Sequence, residues 1–312
     1  MLSVIIPAYN EEKLIHKVTE VMTSVLEPEE IGYEIVFVDD GSSDHTWEEI
    51  EKAHEEDARV GGIHFSRNFG KESAMMAGLE AAAGDCCVVM DCDLQHPPEK
   101  VVDMYRLWEQ GYEVVEGIKH SRGRESGMHR LCAGTFYKIM SRAVKFDMTR
   151  ASDFKLLDRR AVDALLEMPE RNAFFRALSS WIGFRSTTVE FDVQERQVGQ
   201  SKWSTKSLIK YGVQNIVNFS TKPMQLVAIA GALCFVLAVV LGIQTLARYF
   251  MGHAVEGFTT VILLILMIGS MLMISLGIIG YYISKIYEEV KCRPRYIISR
   301  RILSQTDTEK KE

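Results

Sequence analysis

Two stretches of this chain carry no charged residue, Pro223 to Ala247 and Gly257 to Ser284. Each exceeds the roughly 20 apolar residues that cross the hydrocarbon core of a bilayer. A backbone in lipid must satisfy its own hydrogen bonds, which restricts runs like these to helices. The sequence thus predicts two transmembrane helices over 223–284 and leaves residues 1–195 to fold in water. A buried hairpin inside a large soluble core is the alternative, and the two lengths argue against it. Gly231, Gly242, Gly269, Gly277 and Gly280 are tolerated in such helices and can mark close helix contacts.

Charge separates the same segments. The net charge of -6 over 312 residues conceals an acidic body, 22 Lys and Arg against 36 Asp and Glu in residues 1–195. Residues 196–222 form a collar with Arg196, Lys202, Lys206, Lys210 and Lys222 and no acid. A basic collar could bind nucleic acid, but the apolar runs after it point to a membrane surface and to no nucleic-acid partner. The loop between the runs holds only Arg248, His253 and Glu256, whereas Lys285, Lys291, Arg293, Arg295, Arg300 and Arg301 follow the second. By the positive-inside rule the body, both termini and the basic tail 285–312 face the cytosol, in a multi-pass protein of the cytoplasmic membrane. MLSVIIPAYN shows no basic n-region, long apolar h-region or cleavage site, so no signal peptide is expected. Cys86, Cys87, Cys92, Cys132, Cys234 and Cys292 make no C-x-x-C pair and read as reduced packing residues.

Within the body, short apolar strands alternate with amphipathic helices. Strands are predicted near 2–6, 34–39, 61–66, 86–91 and 112–117, and helices near 11–26, 45–56, 71–83 and 98–110. Further helices are predicted near 128–144, 160–168 and 172–181, with an outer strand near 184–192. This βαβ order gives an α/β fold with a mostly parallel sheet covered on both faces. Open sheets of this kind bind ligands at the carboxyl ends of their strands.

Four polar clusters fall at such ends. VIIPAYNEE, IVFVDDGSSD and HFSRNFGKESAMMAG follow the first three strands, and MDCDLQHPPE follows the fourth. The last sets Asp91 and Asp93 two positions apart, on one face of a strand if the strand continues through them. Hard oxygen ligands suit Mg²⁺ or Mn²⁺, which can take one or two carboxylates and leave other positions to phosphate and water. Acidic pairs at strand ends are also ordinary surface features, and the neighbouring clusters favour the metal. Pro97 and Pro98 can end the strand and open a helix, and Cys92 should point into packing. DDGSSD has a plain reading as a glycine turn with Ser43 or Asp44 as helix cap. That accounts for Gly41 to Asp44 but not for Asp39 and Asp40, which sit where a nucleotide needs acceptors. Lys71 opens a helix whose amino end can help hold an anion. No G-x-G-x-x-G follows the first strand, which disfavours a dinucleotide dehydrogenase.

Taken in order, PAYNEE, VDDGSSD, RNFGKESAMMAG and MDCDLQHPPE resemble the inverting family 2 glycosyltransferases of GT-A fold. More narrowly the chain is similar to polyprenyl-phosphate glycosyltransferases, the group with dolichol-phosphate mannose synthase and the bacterial bactoprenol glucosyltransferases. The resemblance runs from about residue 2 through the second apolar run. It implies a nucleotide sugar held by Pro7, Tyr9, Glu11, Asp39 or Asp40, and Lys71, with Asp91, Asp93 and Gln95 around a divalent cation. It also implies that Asp153 in ASDFKLLDRR lies near the acceptor side of the sugar, and that Arg196, Ser201 and Lys202 belong to a loop binding the acceptor phosphate. Arg122, Arg124 and Arg130 of KHSRGRESGMHR are further phosphate candidates, in a loop over the site. Asp153, Asp93 and Arg130 are thus the expected catalytic residues. The implied reaction moves a hexose, from UDP-glucose or UDP-N-acetylglucosamine rather than GDP-mannose, to undecaprenyl or another polyprenyl phosphate. WSTKSLIKYGVQNIVNF would lie along the membrane interface as an amphipathic helix, and the family allows a homo-oligomer.

Two rivals compete. A processive polysaccharide synthase would carry Q-x-x-R-W, whereas Gln200 is followed here by Ser201, Lys202 and Trp203. A non-catalytic membrane tether that senses nucleotide sugars would not need the full set of loop motifs. A lipid-transporting hairpin is disfavoured because neither apolar run carries a charge to conduct a polar head group.

Overall fold

Among the described residues, seven segments of the body form strands of one sheet, and an eighth strand comes from beyond the apolar runs. In the computed structural model, residues 1–119, 152–168, 174–192, 222–251 and 257–304 are described. The helix expected near 128–144, the loop over the site, and the basic collar with its amphipathic segment lie outside them. The chain divides into two compact units, Met1–Leu208 with Arg293–Glu312, and Ile209–Cys292.

The first unit opens with β1 (Leu2–Ala8), α1 (Ile15–Leu26), β2 (Tyr33–Asp39), α2 (Thr46–Glu56), β3 (Val60–Phe65) and α3 (Lys71–Ala81). It continues with β4 (Cys86–Val89), α4 (Glu99–Glu109), β5 (Val114–Lys119), β6 (Lys155–Asp158), α5 (Arg159–Leu166), α6 (Phe175–Trp181) and β7 (Ser186–Phe191). After the second unit's α7 (Lys222–Phe250) and α8 (Phe258–Val290), β8 (Ile298–Ile302) returns to the sheet. The strand order is β7-β5-β6-β4-β1-β2-β3-β8. β6 is antiparallel to β4 and β5, β8 is antiparallel to β3, and every other pairing is parallel. The expected mostly parallel α/β sheet is therefore present, with two reversed strands the sequence did not announce.

Alternation along β1 explains the two layers. Leu2, Val4 and Ile6 enter one core with α1, α2 and α4, contributed by Val18, Met22, Ile50 and Met104. Ile5 points to the other face, where α3 packs so closely that a Cβ on Gly78 would sit 2.2 Å from the Ile5 Cγ2. In the second unit, α7 and α8 are both long and apolar enough to cross a membrane, over Val227–Gln244 and Met267–Val290. They touch through Cys234 and Met271, 3.1 Å apart at sulfur, while Leu233, Phe235, Leu272 and Met273 stay exposed.

Candidate functional site

Parallel strands bring their carboxyl ends to one edge, and the four polar clusters meet there in three dimensions. β1 delivers Pro7 at its end and Tyr9 just beyond it, exposed. Asn10 then takes a left-handed φ of 56° and accepts from Ser43 N–H at 2.9 Å, tying the first cluster to the second. Glu11 N–H donates to Thr46 Oγ1 at 2.9 Å. Thr46 donates to Asp44 Oδ1 through its N–H, at 3.1 Å, and through its hydroxyl, so Asp44 ties down the first N–H of α2 from one residue before the cap position, which His45 holds without a side-chain bond.

Both acids of the second cluster are buried and engaged. Asp39 accepts from Ser42 N–H at 2.9 Å and lies 2.7 Å from His64 Nδ1. Asp40 accepts from Phe69 N–H at 2.6 Å and Gly70 N–H at 2.9 Å. Burial raises the Asp40 carboxyl against those two N–H groups. Gly41 sits at φ +65° with an added Cβ only 2.3 Å from the Arg67 backbone, so no side chain fits there. Asp40 and Gly41 thus shape the RNFG loop that leads into α3 and Lys71.

β4 ends at Val89, two residues earlier than expected, so Asp91 and Asp93 sit on the turn after the strand and not within it. Their placement rests on turn geometry instead of strand alternation: Leu94 adopts φ 54° and is buried, as is Cys92. Asp93 Oδ1 accepts from Gln95 N–H at 3.1 Å. His96 Nδ1 accepts from Asp91 N–H at 3.3 Å, while the imidazole stacks on Phe154 with centroids 4.7 Å apart. Helix α4 begins right after Pro98.

Because β6 runs antiparallel to β4, with Lys155 opposite Val89, its amino end brings Asp153 to the same edge. Asp153 is buried between two cations. Lys71 Nζ donates to its Oδ2 at 2.8 Å and also contacts Asp91 Oδ1 at 2.5 Å. Arg176 donates from Nε at 2.6 Å and from Nη2 at 2.9 Å, a two-pronged pairing. Burial alone would raise the Asp153 carboxyl, but Arg176 and Lys71 outweigh it and hold it well below the usual carboxylate range. Burial likewise opposes the Lys71 charge, and Asp153 and Asp91 overcome it to push that amine upward.

Sequence reasoning missed Arg176, Glu72, His96 and the buried pair Glu116 and Lys155. Glu72 accepts from Phe175 N–H at 2.9 Å, which seats α6 against α3. Lys155 Nζ lies 3.2 Å from Glu116 Oε1 and donates to Ser179 Oγ at 2.9 Å, fixing α6 beneath Arg176. An arginine in FFRALSSW reads as the solvated face of a short helix, and no local spacing links it to Asp153. Arg122, Arg124, Arg130, Arg196, Ser201 and Lys202 lie outside the described residues.

Among the described residues, no cluster of three or more His, Cys, Asp and Glu side chains forms a ready metal cage. The turn after β4 nevertheless offers hard oxygens from Asp91, Asp93 and Gln95, a donor set that fits Mg²⁺ or Mn²⁺ with phosphate oxygens completing the shell.

A family model described as glycosyl transferase family 2 matches residues 3–166. Over 300 residues the chain is 35% identical to an uncharacterised glycosyltransferase of Synechocystis, covering 96% of this chain and 94% of that protein. Over 304 residues it is 33% identical to a bactoprenol glucosyl transferase of Shigella phage SfII, covering 96% and 97%. Glucosyl-3-phosphoglycerate synthase from Mycobacterium tuberculosis superposes with a TM-score of 0.51 at 18% identity, over 69% of this chain and 78% of that one, a likeness of fold. Over most of its length, then, this chain belongs to glycosyl transferase family 2 and has the GT-A fold anticipated from its motifs.

Proposed function

We propose that the protein transfers a hexose from a nucleotide sugar, UDP-glucose or UDP-N-acetylglucosamine, to a polyprenyl phosphate at the cytoplasmic membrane, with inversion at the anomeric carbon. The observation that carries this reading is Lys71 paired with both Asp91 and Asp153 at the carboxyl edge of the sheet, next to the turn that carries Asp93. Similarity over nearly the whole chain to a protein named bactoprenol glucosyl transferase supports the lipid acceptor. The two exposed apolar helices support a membrane location.

In this reading Pro7, Tyr9 and Glu11 face the nucleotide, and Asp39 and Asp40 act on it through the loops they order. Asp91, Asp93 and Gln95 would hold Mg²⁺ or Mn²⁺, which as a Lewis acid offsets charge on the leaving diphosphate. Lys71 supplies a further positive charge beside that group. Arg122, Arg124, Arg130, Arg196, Ser201 and Lys202 meet the acceptor phosphate. A phosphomonoester has its second pKa near about 6, so at neutral pH the acceptor is already mostly dianionic and nucleophilic. Asp153, paired twice and held as a carboxylate, is poorly suited to take a proton. Its charge is better used to stabilise positive character at the anomeric carbon.

Replacement of Asp93 by alanine tests the assignment. We expect transfer to fall by on the order of a hundredfold or more, with the unfolding temperature unchanged. Wild-type turnover in that variant would remove Asp93 from the metal site.

A further inference from the structure

The residues that follow α8 in sequence return to the catalytic unit, and they do so at the loop that carries Lys71. β8 pairs with β3, and Ser66 N–H donates to Ile297 O at 3.0 Å where the RNFG loop begins. Tyr296 lies flat on Phe65, centroids 5.0 Å apart and 10° between planes. Phe65 in turn meets Phe69 edge-on at 5.7 Å. The Tyr296 hydroxyl also bonds the Glu80 carboxylate, near the far end of the helix that Lys71 opens. One aromatic side chain thus braces the loop through Phe65 and Phe69 and braces α3 through Glu80.

The rest of the segment is fastened elsewhere. Arg295 donates to Met168 O. At the opposite end of β8, Ser304 Oγ donates to the buried Glu34, which also accepts from Ser3 Oγ at 2.6 Å and Ala83 N–H at 2.7 Å. β8 lies antiparallel to β3, so Ser304 sits beside Gly61, away from the RNFG loop.

We propose that Tyr296 is a positioning residue of the active site: it holds residues 66–70 and α3 in the register at which Lys71 meets Asp91 and Asp153. The post-membrane segment is then part of the catalytic scaffold and not only a cytosolic tail. The activity arm of the test rests on the transfer reading above, whereas the exchange arm does not.

The experiment uses the full chain purified in detergent, in four forms: wild type, Tyr296→Leu, Tyr296→Phe and Ser304→Ala. Tyr296→Leu keeps bulk at the sheet edge while removing the stack and the Glu80 bond. Amide hydrogen exchange over residues 66–71 should accelerate in Tyr296→Leu and stay close to wild type in Tyr296→Phe. Ser304→Ala should lower the unfolding temperature without exposing 66–71. With UDP-glucose and undecaprenyl phosphate, kcat/KM should fall about tenfold to a hundredfold in Tyr296→Leu, with Tyr296→Phe recovering most of it. Wild-type protection of 66–71 in Tyr296→Leu would overturn the proposal. Equal deprotection in Ser304→Ala would also overturn it, by making the effect one of general stability. If wild type itself transfers no sugar, the transfer reading fails and the exchange result still decides the role of Tyr296.

Discussion

With Arg176 donating twice and Lys71 once, Asp153 keeps its charge in a buried position, and the acid beside it pays the electrostatic cost. Glu72 is half-buried near this carboxylate, and its own carboxyl is pushed up to about 7, first by desolvation and then by the charge on Asp153. The folded state therefore binds that proton more tightly than the unfolded chain does. The stability this contributes is fully present below pH 4.5, the ordinary glutamate value, and is lost as pH rises through about 7. Glu72→Gln keeps an acceptor for Phe175 N–H and removes the titration. Its unfolding temperature should consequently decline less than that of wild type between about pH 5 and about pH 8. Parallel declines in the two proteins would discard the assignment. The acid pair at 91 and 93 was legible because one short motif carries both members. Glu72, although next to Lys71, gave no signal because its partners come from α6, distant in sequence. Arg176 was hidden for the same reason.

At the scale of elements, α3 is the hinge between fold and site, since Lys71 opens it and Gly78 presses it onto β1. Gly78→Ala would place a Cβ against Ile5, and overpacking of this kind costs about 1–3 kcal/mol. The unfolding temperature should drop, and Lys71 should lose alignment, so donor use should weaken along with stability. Unchanged stability would mean that α3 rides more loosely on the sheet than its packing suggests. Most of the strands that sequence found have continuous apolar runs, such as SVIIPA and EIVFVD, buried on both faces, whereas β7, STTVEF, shows itself by alternation along an outer strand. β6 escaped notice because KLLD is short, and its Lys155 is tolerated inside by pairing with Glu116 and donating to Ser179. β8 escaped because ISRRI places two arginines on an exposed edge, a common protection of edge strands that reads locally as a polar tail. Only long-range pairing identifies either one.

For the molecule as a whole, the chain passes twice between an acidic α/β unit and an apolar two-helix unit, once between Leu208 and Ile209 and again between Cys292 and Arg293. The exposed apolar surface of α7 and α8, two helices long and apolar enough to cross a membrane, supports the proposed membrane location. The two proposed substrates, a water-soluble nucleotide sugar and a membrane-bound phosphate acceptor, would each match one of these surroundings. One assay addresses that match directly. Detergent-purified protein would be incubated with undecaprenyl phosphate, a panel of UDP- and GDP-sugars and Mg²⁺ or Mn²⁺, with chelator controls, and the lipid fraction read by mass spectrometry. The expected product is a chelator-sensitive hexosyl or N-acetylhexosaminyl phospholipid from one UDP-sugar. Tight donor binding without any glycolipid, in a preparation whose acceptor is accepted by another enzyme, would contradict the proposed transfer.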